Sequence, residues 1–190
     1  MNSMTDEGRK FRFKITVIGD GRVGKTSLIK RFTQGSFKKD YVKTIGAQFS
    51  VFDKEIKDDK VRLIFWDIAG QDQFHFLRPS FFNNSKAAII VYSLEDNKAG
   101  LESFKHISTW DEDIRKFCGD IPVILFCNKV DLVDENTLDD SVIQEVVEKN
   151  NYLGYYKTSA ETGKGVITAF NSLIEVLYKT FKGLSLELED

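Results

Sequence analysis

Hydrophobic and polar positions alternate with a period of two near the start of the chain, where Phe11, Phe13, Ile15 and Val17 are separated by Arg12, Lys14 and Thr16. That period predicts a strand. Beyond a glycine-rich interval the apolar residues Leu28, Ile29 and Phe32 open a helix. Residues 35–46 are polar and irregular, and Phe49 to Ile56 then reads as a strand joined through Asp58-Asp59 to a second one, Val61 to Trp66. This is a hairpin. Two continuous apolar runs, residues 87–92 and 123–127, have the character of strands covered on both faces. Between them Leu101, Phe104, Ile107, Trp110, Ile114 and Phe117 recur at helical spacing. A helix over about 141–150, a short strand over 155–158 and a last helix carrying Val166, Phe170, Leu173, Ile174, Leu177 and Phe181 complete the pattern. Strand and helix alternate. Right-handed crossovers then give a three-layer α/β fold: a mostly parallel six-stranded sheet, one antiparallel edge strand, and helices on both faces.

Ligands of such folds bind at the carboxyl ends of the strands, so the segments just after them carry the candidate chemistry. After the first strand comes Gly19-Asp20-Gly21-Arg22-Val23-Gly24-Lys25-Thr26, which matches the phosphate-binding loop pattern G-x-x-x-x-G-K-[ST] at every fixed position. Chance alone would produce the pattern in on the order of one chain in a hundred at about 7 % glycine usage; the strand before it and the helix after it make the match specific. The physical logic is charge. Backbone N–H groups of residues 21–27, through Ser27, and the positive end of the following helix face a polyphosphate, Lys25 adds a point charge, and the Thr26 hydroxyl is placed for Mg²⁺.

Asp67, Ala69, Gly70 and Gln71 follow the third strand, offering a carboxylate for Mg²⁺, an unhindered N–H for a γ-phosphate and a neutral amide that orients an attacking water. Asn128-Lys129-Val130-Asp131 closes the fifth strand. A carboxylate there accepts two hydrogen bonds from guanine, a pair that adenine does not offer. Thr158-Ser159-Ala160 ends the sixth strand, where backbone N–H groups are available to the guanine carbonyl.

Composition narrows the class. With 190 residues, 42 % hydrophobic and a formal charge of -2, the chain makes one soluble domain and gives no electrostatic case for nucleic acid. Cys118 and Cys127 have neither metal-ligand nor redox spacing and read as buried reduced thiols, which favours a cytoplasmic protein. The sequence shows no signal peptide, no myristoylation glycine and no prenylatable cysteine, so a constitutive membrane anchor is not expected. The expected layout is a flexible N-terminus over 1–10, a domain over 11–182 and a short acidic tail over 183–190. His75 and His106 read as solvated surface residues.

The order GDGRVGKT, Thr44-Ile45-Gly46, WDIAGQ, NKVD and TSA resembles the Ras superfamily of small GTPases over roughly residues 11–181. Residues 45–49, 63–67 and 77–82 are most similar to the Rab branch. The resemblance implies the P-loop NTPase G domain, GTP/GDP as ligand with Mg²⁺ as cofactor, slow hydrolysis of GTP, and a monomer. Its implied partners are effectors reached through two switch segments, a nucleotide exchange factor and a GTPase-activating protein. It also implies that Thr44 joins Thr26 and Asp67 as Mg²⁺ ligands, that Phe37 stacks near the base, that Tyr41 covers the phosphates, and that Gln71 and Lys25 are catalytic. Phe49, Trp66 and Phe82 stand where Rab proteins present an aromatic triad to effectors; three core aromatics is the alternative. Arg22, Lys43, Ile68 and Glu161 depart from the usual pattern, with Glu161 replacing the lysine of the SAK motif. Two other classes share the loop: a non-hydrolysing nucleotide-binding scaffold, and an ATP-using P-loop enzyme that Asp131 disfavours.

Overall fold

In the computed structural model, residues 8–37, 44–70 and 78–187 are described. Strands β1 (Lys10–Ile18), β2 (Ala47–Ile56), β3 (Asp59–Ile68), β4 (Ala87–Ser93), β5 (Val123–Asn128) and β6 (Tyr155–Thr158) form one sheet in the order β2-β3-β1-β4-β5-β6. Only the β2/β3 pair is antiparallel. Helices α1 (Lys25–Gln34) and α6 (Val166–Glu187) cover one face, and their apolar stripes meet the sheet around Phe170, which stacks on Phe32 at 4.4 Å between ring centres. The second face carries α2 (Arg78–Phe82), α3 (Lys98–Lys105), α4 (Ile107–Cys118) and α5 (Asp140–Lys149) over a separate cluster that includes Ile90, Trp110, Ile114 and Leu125.

The differences from the expected pattern have local causes. The two-residue alternation of β1 fades after Lys14, because the strand is central and buried on both faces; Thr16 is tolerated there by a 2.6 Å hydroxyl contact with Ser85. Asp59 lies in β3 rather than in the hairpin turn, which is made by Lys57 and Asp58 with Lys57 at φ 56°. The single helix expected through residues 101–117 is two, separated at His106 with ψ −3°, and Leu101 is exposed. Helix α6 continues past Gly183 to Glu187.

Candidate functional site

The phosphate loop connects β1 to α1 at the carboxyl edge of the sheet. Gly24 sits at φ +100° with the Asn128 amide behind it, and a Cβ there would lie 2.3 Å from Asn128 Nδ2. Only glycine fits. Lys25 opens α1 and is buried; its ammonium folds back over the loop and donates to the Gly19 and Asp20 carbonyls, both at 2.7 Å. Gly21 and Arg22 are exposed, Arg22 in the left-handed region at φ 68°, while Val23 is buried and Ser27 half-buried.

Three oxygen-bearing side chains from three separate segments meet beside Lys25. Thr26 Oγ1 donates to Asp67 Oδ2 and lies 3.0 Å from Thr44 Oγ1. Asp67 is buried, and its Oδ1 has no hydrogen-bond partner among the described residues. Burial pushes its carboxyl above the ordinary carboxylate value, opposed by the Thr26 bond and the Lys25 and Lys30 charges. A buried, half-satisfied carboxylate flanked by two hydroxyls is a hard oxygen set, which fits Mg²⁺. Gly70 closes the group from above. A Cβ on it would lie 2.2 Å from the Gly19 carbonyl oxygen, so the chain after β3 rests directly on the phosphate loop.

Asp20, the second residue of that loop, faces the other way. Its carboxylate accepts from Trp110 Nε1 at 2.8 Å and lies 2.7 Å from Nδ1 of His106, which is exposed as expected and in addition reaches this loop. Neither residue was singled out as a partner of the loop from sequence, although their i, i+4 spacing puts both on one helical face.

At the far end of the edge, Asn128 links three segments. Its Nδ2 donates to the Val23 carbonyl at 2.8 Å, and its Oδ1 accepts from Thr158 Oγ1 at 3.2 Å and Ala160 N–H at 3.3 Å. The N–H groups offered to guanine are therefore both in use, that of Ser159 in a 2.9 Å bond to the Lys164 carbonyl. Lys129, at φ 68°, is held 2.5 Å from Glu95, whose carboxyl it pulls below the ordinary value. Asp131 is exposed in the short turn Val130–Leu132. Arg31 was missed by sequence reading. It donates through Nε to Ala160 O at 2.7 Å and through its second terminal nitrogen to Glu161 O, and its guanidinium lies 5.9 Å from the half-buried Phe37 ring. A cation in the last turn of α1, beside the apolar Phe32, was the available signal.

Gln71 and Tyr41 lie outside the described residues. Of the aromatic triad, Phe49 is 67 % exposed and pairs across strands with Trp66 at 6.1 Å between ring centres. Phe82 is corrected: it is completely buried, packed on Phe117 in the core. One helical residue earlier, the side chain turns the other way, and Phe81 takes the place beside Trp66 at 5.7 Å.

The family model "Ras family" matches residues 14–179. The Ras-related protein Rab-21 of Bos taurus is 35 % identical over 176 residues, covering 91 % of this chain and 76 % of the relative. The Ras-related protein Rab-1 of Theileria annulata is 35 % identical over 169 residues, 88 % of this chain and 74 % of the relative. The GTP-binding protein YPTM1 of Zea mays is 31 % identical over 180 residues, 94 % and 84 % respectively. With the phosphate loop, the strand-end aspartate and the guanine-type motif at one edge of the sheet, the chain belongs to the Ras family of small GTPases, in its Rab branch, and is a GTP-hydrolysing molecular switch.

Proposed function

We propose that the GTP cycle of this switch is run by the residues gathered at the carboxyl edge and that it serves membrane traffic. The convergence of Thr26, Thr44 and Asp67 on one point carries the reading, because three segments far apart in sequence supply one set of hard donors. Bound Mg²⁺ would neutralise phosphate charge there and make departure of the leaving group easier.

The chain's own residues do the rest. Lys25 exchanges the Gly19 and Asp20 carbonyls for phosphate oxygens, and N–H groups of residues 21–27 cradle them. Asp131 accepts from the guanine edge, and the long 3.3 Å bond from Ala160 N–H is the one that a guanine carbonyl displaces. Asn128 and Arg31 act through others, fixing the base loop to the phosphate loop and to α1. Gln71 orients the water, and Gly70 N–H meets the γ-phosphate; when that phosphate leaves, Thr44 and Gly70 lose their partner and the switch segments relax. Slow intrinsic turnover, with an arginine supplied by an activating partner, completes the catalytic reading. A cytoplasmic monomer acting on effectors completes the reading. The cytoplasmic part of it is supported by Cys118 and Cys127, which form no disulfide.

Single-turnover phosphate release from GTP-loaded protein tests this. Gln71→Leu should load normally and hydrolyse more slowly, and the deficit should approach about 10³ to 10⁵ when an activating partner is present. Equal rates for both proteins under both conditions would overturn the assignment.

A further inference from the structure

The face of β2, β3 and β1 that is turned away from α1 and α6 is ordered in rows. The register sets Thr16, Trp66 and Phe49 in one row, then Lys14, Ile64 and Val51, then Arg12, Arg62 and Asp53, then Lys10, Lys60 and Glu55. One end is aromatic and the other cationic. Arg62 is held by Asp53 through two bonds of 2.7 and 2.9 Å, and Lys14 lies 4.4 Å from the centre of the Trp66 ring. Lys10, Arg12 and Lys60 are exposed and make no ion pair among the described residues. Like charges stand side by side at Arg12/Arg62 and Lys10/Lys60, on strands about 4.8 Å apart, an arrangement that disfavours the free fold. The lower rows line a groove of about 660 Å³.

We propose that this face is a docking strip for an acidic amphipathic helix of a partner protein, its apolar end on Phe49 and Trp66 and its carboxylates on Arg12, Lys10 and Lys60. The proposal rests on reading the exposed Phe49 and the half-buried Trp66 as the effector face. From first row to last is six residues, about 20 Å at strand rise, which a helix of about 13 residues spans. The groove is concave and Asp53 and Glu55 interrupt its positive field, so discrete side chains suit it better than a flat anionic bilayer does.

The test uses the full chain loaded with a non-hydrolysable GTP analogue. The probe is a synthetic 14-residue helical peptide, leucine-faced at one end and glutamate-rich at the other, followed by backbone amide shifts. Saturable binding with shifts in β1 and β3, weakened at least tenfold by Lys10→Glu/Arg12→Glu and by raised salt, is the expected result. That double variant removes both like-charge neighbours, so its melting temperature should hold or rise, separating lost binding from lost fold. Loss with Phe49→Ala but not with the charge reversals would keep the effector face and overturn the cationic extension. Equal binding of a lysine-for-glutamate peptide, no binding of the acidic peptide, or binding only to phosphatidylserine vesicles would each overturn the proposal.

Discussion

Strand β3 carries a buried aspartate at its first position and another one short of its last, and the two behave oppositely. Asp59, at its start, accepts from Lys182 Nζ and the Tyr178 hydroxyl at 2.7 Å each and from Arg9 N–H at 2.8 Å. Lys182 first, and Tyr178 second, pull its carboxyl down to about 2. Asp67, near the other end, has a hydroxyl partner on one oxygen and none on the other among the described residues, and burial moves it upward. Both sit on the same rigid element, with similar exposure. They differ in how strongly the surrounding protein desolvates them and in their partners: a satisfied carboxylate fastens the fold, while a desolvated, half-satisfied one retains coordination capacity for something else. The amino edge of the sheet is thus a structural end and the carboxyl edge a chemical one.

The strongest way to break this division is at Lys25. Lys25→Met should weaken GTP by about 3 to 5 kcal/mol, the cost of stranding buried charge, which is roughly 10² to 4 × 10³ in affinity. Equilibrium binding measures it, and the thermal midpoint of nucleotide-free protein should move far less than affinity does.

Phe82→Ala sharpens the corrected aromatic assignment, with an expected loss of about 3 to 5 kcal/mol of stability against less than about 0.5 for the exposed Phe49→Ala. Denaturant unfolding of both variants gives the comparison. A reversed order would return Phe82 to the surface.

Asp59→Asn acts at the structural end, with an expected destabilisation of about 1 to 3 kcal/mol and no change in nucleotide release. The pH dependence has a definite sign. Because the folded carboxyl titrates below its ordinary value, its contribution is complete above about pH 4 and is lost as the pH falls through about 2. Wild type should therefore lose stability over that window, and the variant should lose less.

Much of the chemical end was legible because its motifs are contiguous. The phosphate loop, Asp67 and the Asn128 to Asp131 run each lie at the carboxyl end of a strand whose apolar pattern is readable, and the α/β rule puts strand ends together. The structural end was not legible. Asp59 reads as a turn residue, and its partners Tyr178 and Lys182 lie more than a hundred positions away, on a helix whose apolar stripe hides them. Separations of 129 and 90 positions likewise concealed Arg31 at Ala160 and Trp110 at Asp20. The exchange of Phe82 for Phe81 has another cause. In a five-residue helix the apolar pattern is too short to choose which aromatic faces in.

The two aspartates are separated most directly by the Mg²⁺ dependence of GDP dissociation, measured with a fluorescent GDP in excess Mg²⁺ and after chelation. Wild type should release slowly with Mg²⁺ and quickly without it. Asp67→Asn should release quickly in both, whereas Asp59→Asn should keep the wild-type pattern while melting at a lower temperature. Full Mg²⁺ sensitivity in Asp67→Asn, or its loss in Asp59→Asn, would contradict the division of β3 into a structural and a chemical end.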